Sequence, residues 1–102
     1  IPAFGDNQLR KKWFERLQKA GFILPILVHP TALISSSARL GQGTIVEARA
    51  TVNSGVIIGK GCIISTSTTV DVSVKMRDFT YTSPGITIPK RTIIEPLSNI
   101  LL

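Results

Sequence analysis

Few side chains in this sequence have the type and spacing that catalysis requires. The only histidine, His29, is followed by Pro30, and no acidic residue lies near it in the sequence. Imidazole titrates near neutral pH and is a common general base, but a base usually needs a partner that orients its ring. We therefore predict a structural role for His29 rather than a catalytic one.

Two Gly-x-Gly runs have a superficial likeness to phosphate-binding loops. They are Gly41-Gln42-Gly43 and Gly59-Lys60-Gly61, eighteen residues apart. Neither is followed by a predicted helix or by the lysine-serine pair of a phosphate loop. Corner turns that need unusual backbone angles explain these glycines better.

An aliphatic residue recurs at every sixth position over most of the chain, and only Thr82 interrupts the series. The members are Val28, Ile34, Leu40, Val46, Val52, Ile58, Ile64, Val70, Met76, Thr82, Ile88, Ile94 and Ile100. Four residues after each member, as far as the chain allows, lies a mostly small or β-branched residue: Ala32, Ala38, Thr44, Ala50, Val56, Cys62, Thr68, Val74, Thr80, Ile86, Thr92 and Ser98. A helix has a period near 3.6 and a half-buried strand a period of 2, so this period indicates a stacked hexapeptide repeat.

Hexapeptide repeats are typical of a parallel β-helix. Each repeat forms one short side of a coil, and the aliphatic residues form a continuous core only when several coils stack. Three sides make a coil, which agrees with the spacing of the two Gly-x-Gly runs. We predict a mainly β fold, with about four coils over residues 28–102 and an N-terminal segment over residues 1–27.

The N-terminal segment contains the pattern of one amphipathic α-helix over about residues 7–20. Asp6 or Asn7 is the expected N-cap and Gly21 the expected stop. The predicted apolar face consists of Leu9, Trp13, Phe14, Leu17 and Ala20. The other face carries Arg10, Lys11, Lys12, Arg16 and Lys19. This basic face is either a phosphate-attracting patch or a solvated helix face, and we favour the latter. Residues 1–4 are interpreted as the end of a strand.

Composition limits the class of protein and of partner. The chain has 102 residues, a length typical of one small domain. Its formal charge of +6 favours anionic partners. The only cysteine, Cys62, cannot form an intrachain disulfide, which favours a reducing compartment. With no signal peptide, lipidation motif or transmembrane-length apolar run, we expect a cytoplasmic protein with no membrane partner.

Several motifs along the chain resemble one family of enzymes. They are Gly5-Asp6-Asn7-x-x-Arg10, the basic helix, His29-Pro30-Thr31-Ala32, Val70-Asp71, Asp78-Phe79 and Ser83-Pro84-Gly85. Together they resemble the sialic acid O-acetyltransferases and UDP-amino-sugar N-acetyltransferases. The resemblance implies a left-handed β-helix, a homotrimer, a small-molecule sugar substrate and acetyl-CoA bound in the groove between neighbouring subunits. It implies no metal.

The same resemblance shows where this sequence departs from the family at the active site. The family's general-base histidine aligns with Val72, and its acidic partner aligns with Ser73. Tyr81 aligns with a second histidine near the acetyl-CoA thioester, which makes it the cofactor-binding candidate. Ser65 aligns with an asparagine that faces the acceptor, which makes it the substrate-binding candidate. Because valine has no titratable group, we expect acetyl transfer to be weak or absent.

Three functions remain open at this stage. The first is an acetyltransferase acting on an amino sugar or a nucleotide-linked sugar. The second is a non-catalytic, self-associating β-helix scaffold or interaction module. The third, nucleic-acid binding through the basic helix, has little support because no aromatic residues interleave with the basic run. The family's sugar-binding domain would precede this chain, so we expect a truncated or degenerate member.

Overall fold

The computed structural model describes residues 6–100, which form one helix followed by thirteen short strands. Helix α1 spans Asn7–Lys19. The strands, each two residues long, are β1 Leu27–Val28, β2 Leu33–Ile34, β3 Arg39–Leu40, β4 Ile45–Val46, β5 Thr51–Val52, β6 Ile57–Ile58, β7 Ile63–Ile64, β8 Thr69–Val70, β9 Lys75–Met76, β10 Tyr81–Thr82, β11 Thr87–Ile88, β12 Ile93–Ile94 and β13 Asn99–Ile100. The expected strand end at residues 1–4 lies outside the described residues.

The strands stack into three parallel sheets that form the sides of a prism. Sheet 1 has the order β1-β4-β7-β10-β13, sheet 2 the order β11-β8-β5-β2, and sheet 3 the order β12-β9-β6-β3. Each strand pairs with the strand eighteen residues away, as Leu27 pairs with Ile45 and Ile45 with Ile63. The chain therefore completes about four coils, and the predicted β-helix with one preceding helix is confirmed.

The predicted aliphatic series forms the core of the prism. One residue of each two-residue strand points inward, and all nine inward positions from Val46 to Ile94 are buried, including Thr82. The small-residue series is buried beside it from Thr44 to Ile86. At the first coil burial is incomplete, and Val28 is 43% exposed. Each core residue thus depends on the coils above and below it for its burial.

The corners between the sheets use left-handed backbone at every sixth residue. Positive φ angles occur at Gly43, Arg49, Gly55, Gly61, Ser67, Ser73, Phe79, Gly85, Arg91 and Leu97. This confirms the corner-turn interpretation of Gly43 and Gly61. Gly41 is needed for a different reason, because a Cβ there would lie 2.5 Å from the backbone carbon of Gly59. Where the residue is not glycine, this conformation costs about 1–2 kcal/mol, which the stacked coils must offset.

Helix α1 begins as predicted but buries a different face. The Asp6 carboxylate caps it by accepting a hydrogen bond from the Leu9 N–H at 2.9 Å. Phe14 is buried and packs edge-on against Phe79, with ring centroids 5.3 Å apart. Three other members of the predicted apolar face do not pack like Phe14, since Leu9 and Trp13 are 43% and 39% exposed and Ala20 is exposed as well. The corner of the prism beneath α1 is narrow, so a single aromatic side chain of the helix, Phe14, is enough to cover it.

Arg10 is the larger correction, because the sequence placed it on the solvated basic face. It is only 1% exposed. Its Nε donates to the Gly61 carbonyl at 2.7 Å, and one terminal nitrogen donates to the Thr80 carbonyl at 3.3 Å. Burial lowers the pKa of the Arg10 guanidinium, and the nearby Cys62 and Asp6 oppose that shift. Arg10 therefore joins the helix to two successive coils instead of attracting a ligand.

No helix within residues 6–100 has the length and apolar character needed to cross a membrane.

Replacing Arg10 with alanine is expected to destabilise the fold by about 2–4 kcal/mol. The substitution leaves the Gly61 carbonyl without its charged donor and opens a void beneath α1. Thermal and urea unfolding followed by circular dichroism would measure the change. Lys12→Ala is the matched control, because Lys12 is exposed on the same helix and should change stability by less than about 0.5 kcal/mol. Equal effects of the two variants would contradict the assigned role of Arg10.

Candidate functional site

Three of the four candidate site residues lie on corners of the prism, where equivalent residues of successive coils stack, and the fourth, Tyr81, lies in strand β10. The first corner joins sheet 1 to sheet 2 and comprises residues 29–31, 47–49, 65–67 and 83–85. The second corner joins sheet 2 to sheet 3 and comprises residues 35–37, 53–55, 71–73 and 89–91. The third corner, which joins sheet 3 to sheet 1, is covered by α1.

Val72 and Ser73, which align with the family's general base and its acidic partner, lie on the second corner. Val72 is 40% exposed, and its backbone N–H donates to Asp71 Oδ1 at 2.7 Å. Ser73 is exposed with a φ of 58°, and its N–H donates to the Ser54 carbonyl at 3.0 Å. The corner is therefore well formed and open to solvent, but position 72 offers no group that can accept a proton.

Ser65 lies at the other edge of sheet 2, whereas Tyr81 lies in strand β10 of sheet 1. Tyr81 pairs with Ile63 across neighbouring strands of sheet 1, and Ser65 follows that strand at the first corner. Ser65 is only 2% exposed, whereas Tyr81 is partly exposed. Strand β8 of sheet 2 separates Ser65 from Val72 and Ser73. Val72 and Ser73 therefore share one corner, Ser65 lies at another corner and Tyr81 lies in sheet 1; the roles of all four stay predictions.

The first corner also contains a groove that the sequence did not indicate. It has a volume of about 460 Å³ and is lined by Leu27, Val28, His29, Ile45, Val46, Glu47, Ala48 and Thr66. His29 has no acidic neighbour in sequence, but the fold stacks Glu47 one coil away on the same corner. The signal was present in the eighteen-residue period, since Glu47 is the residue one coil after His29.

Cys62 is a core residue and has no catalytic features. It is 0% exposed, and Thr80 Oγ1 donates to its sulfur at 3.3 Å. Burial raises the pKa of the Cys62 thiol, which disfavours the reactive thiolate. Nor do residues 6–100 contain a group of three or more histidine, cysteine, aspartate or glutamate side chains arranged to hold a metal ion.

Known transferases match parts of this sequence. A family model described as the bacterial transferase hexapeptide, with six repeats, matches residues 37–71. UDP-N-acetylbacillosamine N-acetyltransferase from Bacillus subtilis (strain 168) is 41% identical over 46 residues, which are 45% of this chain and 21% of that protein.

Solved structures match over nearly the whole chain. The acetyltransferase domain of PglB from Neisseria gonorrhoeae FA1090 has a TM-score of 0.81 at 32% identity, covering 97% of this chain and 54% of that one. The same domain is also solved in complex with acetyl coenzyme A. A mutant of perosamine N-acetyltransferase from Caulobacter crescentus, in complex with CoA and GDP-perosamine, has a TM-score of 0.79 at 33% identity, covering 89% of this chain and 46% of that one.

The three-sided parallel solenoid is thus a left-handed β-helix of the kind found in acetyltransferases. Residues 37–71 match the hexapeptide-repeat transferase model, and nearly the whole chain has the fold of the matched acetyltransferase structures. The chain spans about a fifth of the curated relative and about half of each matched structure.

Thr82, which interrupts the aliphatic series, supports the backbone beside Ser65. The Ser65 N–H donates to Thr82 Oγ1 at 3.1 Å, whereas the equivalent Glu47 N–H donates to a carbonyl of the next coil. Thr82→Val is expected to destabilise the fold by about 1–3 kcal/mol although it restores the aliphatic pattern, because the buried Ser65 N–H loses its acceptor. Thermal unfolding would measure this change. Thr82→Ser keeps the hydroxyl and should cost less, so a Thr82→Val variant that is more stable than the Thr82→Ser variant would contradict this explanation.

Proposed function

We propose that this chain forms the acetyl-CoA-binding β-helix of an acetyltransferase for an amino sugar or a nucleotide-linked sugar. We further propose that its own transfer activity is weak or absent. The observation that carries the proposal is the match of 97% of the chain to an acetyltransferase domain that has been solved with acetyl coenzyme A. The sugar class comes from the relatives, one of which is solved with GDP-perosamine.

Acetyl transfer has a defined requirement that this chain does not meet. The acceptor's amine nitrogen attacks the thioester carbonyl carbon, its proton passes to a base, and the carbon–sulfur bond breaks to release CoA. A positioned general base contributes about 10²–10⁴-fold to such a step. Val72 cannot take the proton, and Ser73 cannot orient a base as a carboxylate would. The partly exposed Tyr81 hydroxyl remains able to donate a hydrogen bond to the thioester carbonyl.

A homotrimer is part of the proposal because one chain leaves the candidate positions apart. Ser65 lies at one edge of sheet 2, Val72 and Ser73 lie at the other, and Tyr81 lies in sheet 1. If sheet 2 of each copy faces its neighbours, the first corner of one subunit lies beside the second corner of the next. Acetyl-CoA would then bind in the groove between subunits. The single buried thiol of Cys62 is consistent with a reducing, cytoplasmic compartment.

A non-catalytic scaffold is the alternative that a specific observation favours. The nine inward positions from Val46 to Ile94 keep an unbroken buried ladder, while the exposed position 72 carries no catalytic group. This is the pattern expected when only stacking and self-association matter. Acetyl-CoA binding separates the two functions, because a scaffold has no need for it.

Calorimetric titration of the chain with acetyl-CoA is the first test of the proposed function. We expect saturable binding with one site per subunit, and weaker binding at higher salt because the ligand is anionic and the chain carries a charge of +6. Light scattering on the same sample should give a trimer. Absence of binding in a trimeric sample would favour the scaffold, and a monomer would contradict the intersubunit groove.

Restoring the missing dyad tests the chemistry directly. Val72→His with Ser73→Asp is expected to raise acetyl transfer by about 10²-fold or more, because imidazole supplies the base. Aspartate is chosen at position 73 because it tolerates left-handed backbone better than most residues. The rate should rise with pH through about 6.5, the pKa of an unperturbed imidazole.

The assay would measure release of the CoA thiol with GDP-perosamine and with glucosamine as acceptors. Val72→Leu with Ser73→Asp is the matched control, since it adds the same carboxylate without a titratable base. An equal rate for the two double variants would rule out position 72 as the site of the lost base.

A further inference from the structure

The groove on the first corner, lined by residues 27–29, 45–48 and 66, has features of a ligand site in its own right. Its floor is apolar, formed by side chains including Leu27, Val28 and Ile45. Two polar side chains of opposite hydrogen-bonding character, His29 and Glu47, lie one coil apart on its wall. Apolar concave surfaces with a few convergent polar groups are typical of small-molecule sites.

The His29 ring is held in one tautomer by its own corner. Its Nδ1 accepts a hydrogen bond from the Thr31 N–H at 3.1 Å. Thr31 Oγ1 accepts from the Arg49 N–H at 2.9 Å and lies within hydrogen-bond distance of the same Nδ1, at 2.9 Å. Because Nδ1 accepts from the Thr31 N–H, the proton of the neutral ring is on Nε2. His29 therefore offers a hydrogen-bond donor to the groove and no base.

Glu47 offers the groove a hydrogen-bond acceptor, whereas His29 offers a donor. Its Oε1 accepts from the Thr66 N–H at 3.1 Å and from the Thr66 hydroxyl at 3.4 Å, which orients the carboxylate. Within residues 6–100, no donor contacts the second oxygen, Oε2. No ion pair joins Glu47 to His29 in this part of the chain, so both groups can contact a ligand. Equivalent residues of stacked coils are about 4.8 Å apart, which is the spacing of adjacent strands.

From this arrangement we infer that the groove binds a secondary amide. The His29 Nε2–H donates to the amide carbonyl oxygen, the Glu47 carboxylate accepts from the amide N–H, and the apolar floor contacts the attached alkyl groups. A donor and an acceptor side by side match an amide better than they match a phosphate, which the Glu47 charge would repel. The inference rests on the proposed function only for the source of the amide, which is either the acylamino group of a sugar acceptor or the pantetheine arm of the acyl donor.

Two-dimensional NMR of the full chain, titrated with N-acetyl-D-glucosamine and separately with pantetheine, tests this inference. D-glucose is the control ligand without an amide. We expect saturable shifts of the backbone amides of residues 27–29, 45–48 and 66 with at least one of the two amide probes. Shifts with N-acetyl-D-glucosamine alone assign the groove to the acceptor, and shifts with pantetheine alone assign it to the acyl donor.

Two substitutions remove one interaction each while keeping the corner intact. His29→Asn places an amide oxygen where Nδ1 accepts from Thr31 but has no group at the position of Nε2. Glu47→Gln can keep the Thr66 hydrogen bonds through its carbonyl oxygen but presents NH₂ in place of the acceptor. Each should raise the Kd of the effective probe about fivefold or more. Glu95→Gln, at an exposed position on the third corner, is the matched control and should leave the Kd unchanged.

Three results would overturn the inference: no shift at the groove with either amide probe, equal shifts with D-glucose, or an unchanged Kd in both variants. Melting curves of each variant establish that the fold is intact. The result of the acetyl-CoA titration does not depend on the result with the amide probes, so the two proposals can fail separately. If acetyl-CoA binds and neither probe shifts the groove, the inference fails while the proposed function stands; amide binding without acetyl-CoA binding gives the converse.

Discussion

The structure depends on the stacking of equivalent residues in successive coils. A two-residue strand buries only one inward side chain, which is too little to be stable alone. Pairing at eighteen-residue intervals places Val46 on Ile64 and Ile64 on Thr82, so that each buried residue is covered by its neighbours. The same stacking supports the left-handed backbone at ten successive corners from Gly43 to Leu97, six of which are not glycine.

Helix α1 is bound to this stack by polar contacts as much as by apolar ones. Phe14 packs on Phe79, Arg10 bonds carbonyls of two coils, and the Asn7 side chain donates to the Leu97 carbonyl at 3.0 Å. The third corner exposes backbone carbonyls that a helix with a purely apolar face would leave unsatisfied. A buried arginine at this position therefore serves the scaffold, which explains why part of the basic run is unavailable to a ligand.

Scaffold and chemistry are separable in this fold because they use different residues of each repeat. Inward positions such as Val70 and Met76 maintain the stack, whereas corner positions such as Val72 face solvent and are free to change. A corner can therefore lose a base without loss of the fold. Conversely, stacking can create a site, because His29 and Glu47 have no relation in sequence except their separation by one coil.

The sequence by itself determined the fold and most of its core. The six-residue period predicted the β-helix and the number of coils, because stacking repeats the same pattern of burial in every repeat of the sequence. The amphipathic pattern and the capping residues predicted helix α1. The family resemblance identified Val72 and Ser73 as departures, and it indicated the left-handed twist that the solved relatives support.

Only the tertiary structure determined which side chains are buried and which residues are neighbours in space. It buried Arg10 and exposed Leu9 and Trp13. The corner beneath α1 is narrow, so it contacts one aromatic ring of the helix and several hydrogen-bonding groups instead of a broad apolar face. It separated Ser65 and Tyr81 from Val72 and Ser73, and it brought Glu47 beside His29. The contacts of α1 depend on how the helix packs on its corner, which the spacing of residue types does not encode. The neighbours across coils follow from the eighteen-residue period, but only once the chain is known to form three-sided coils.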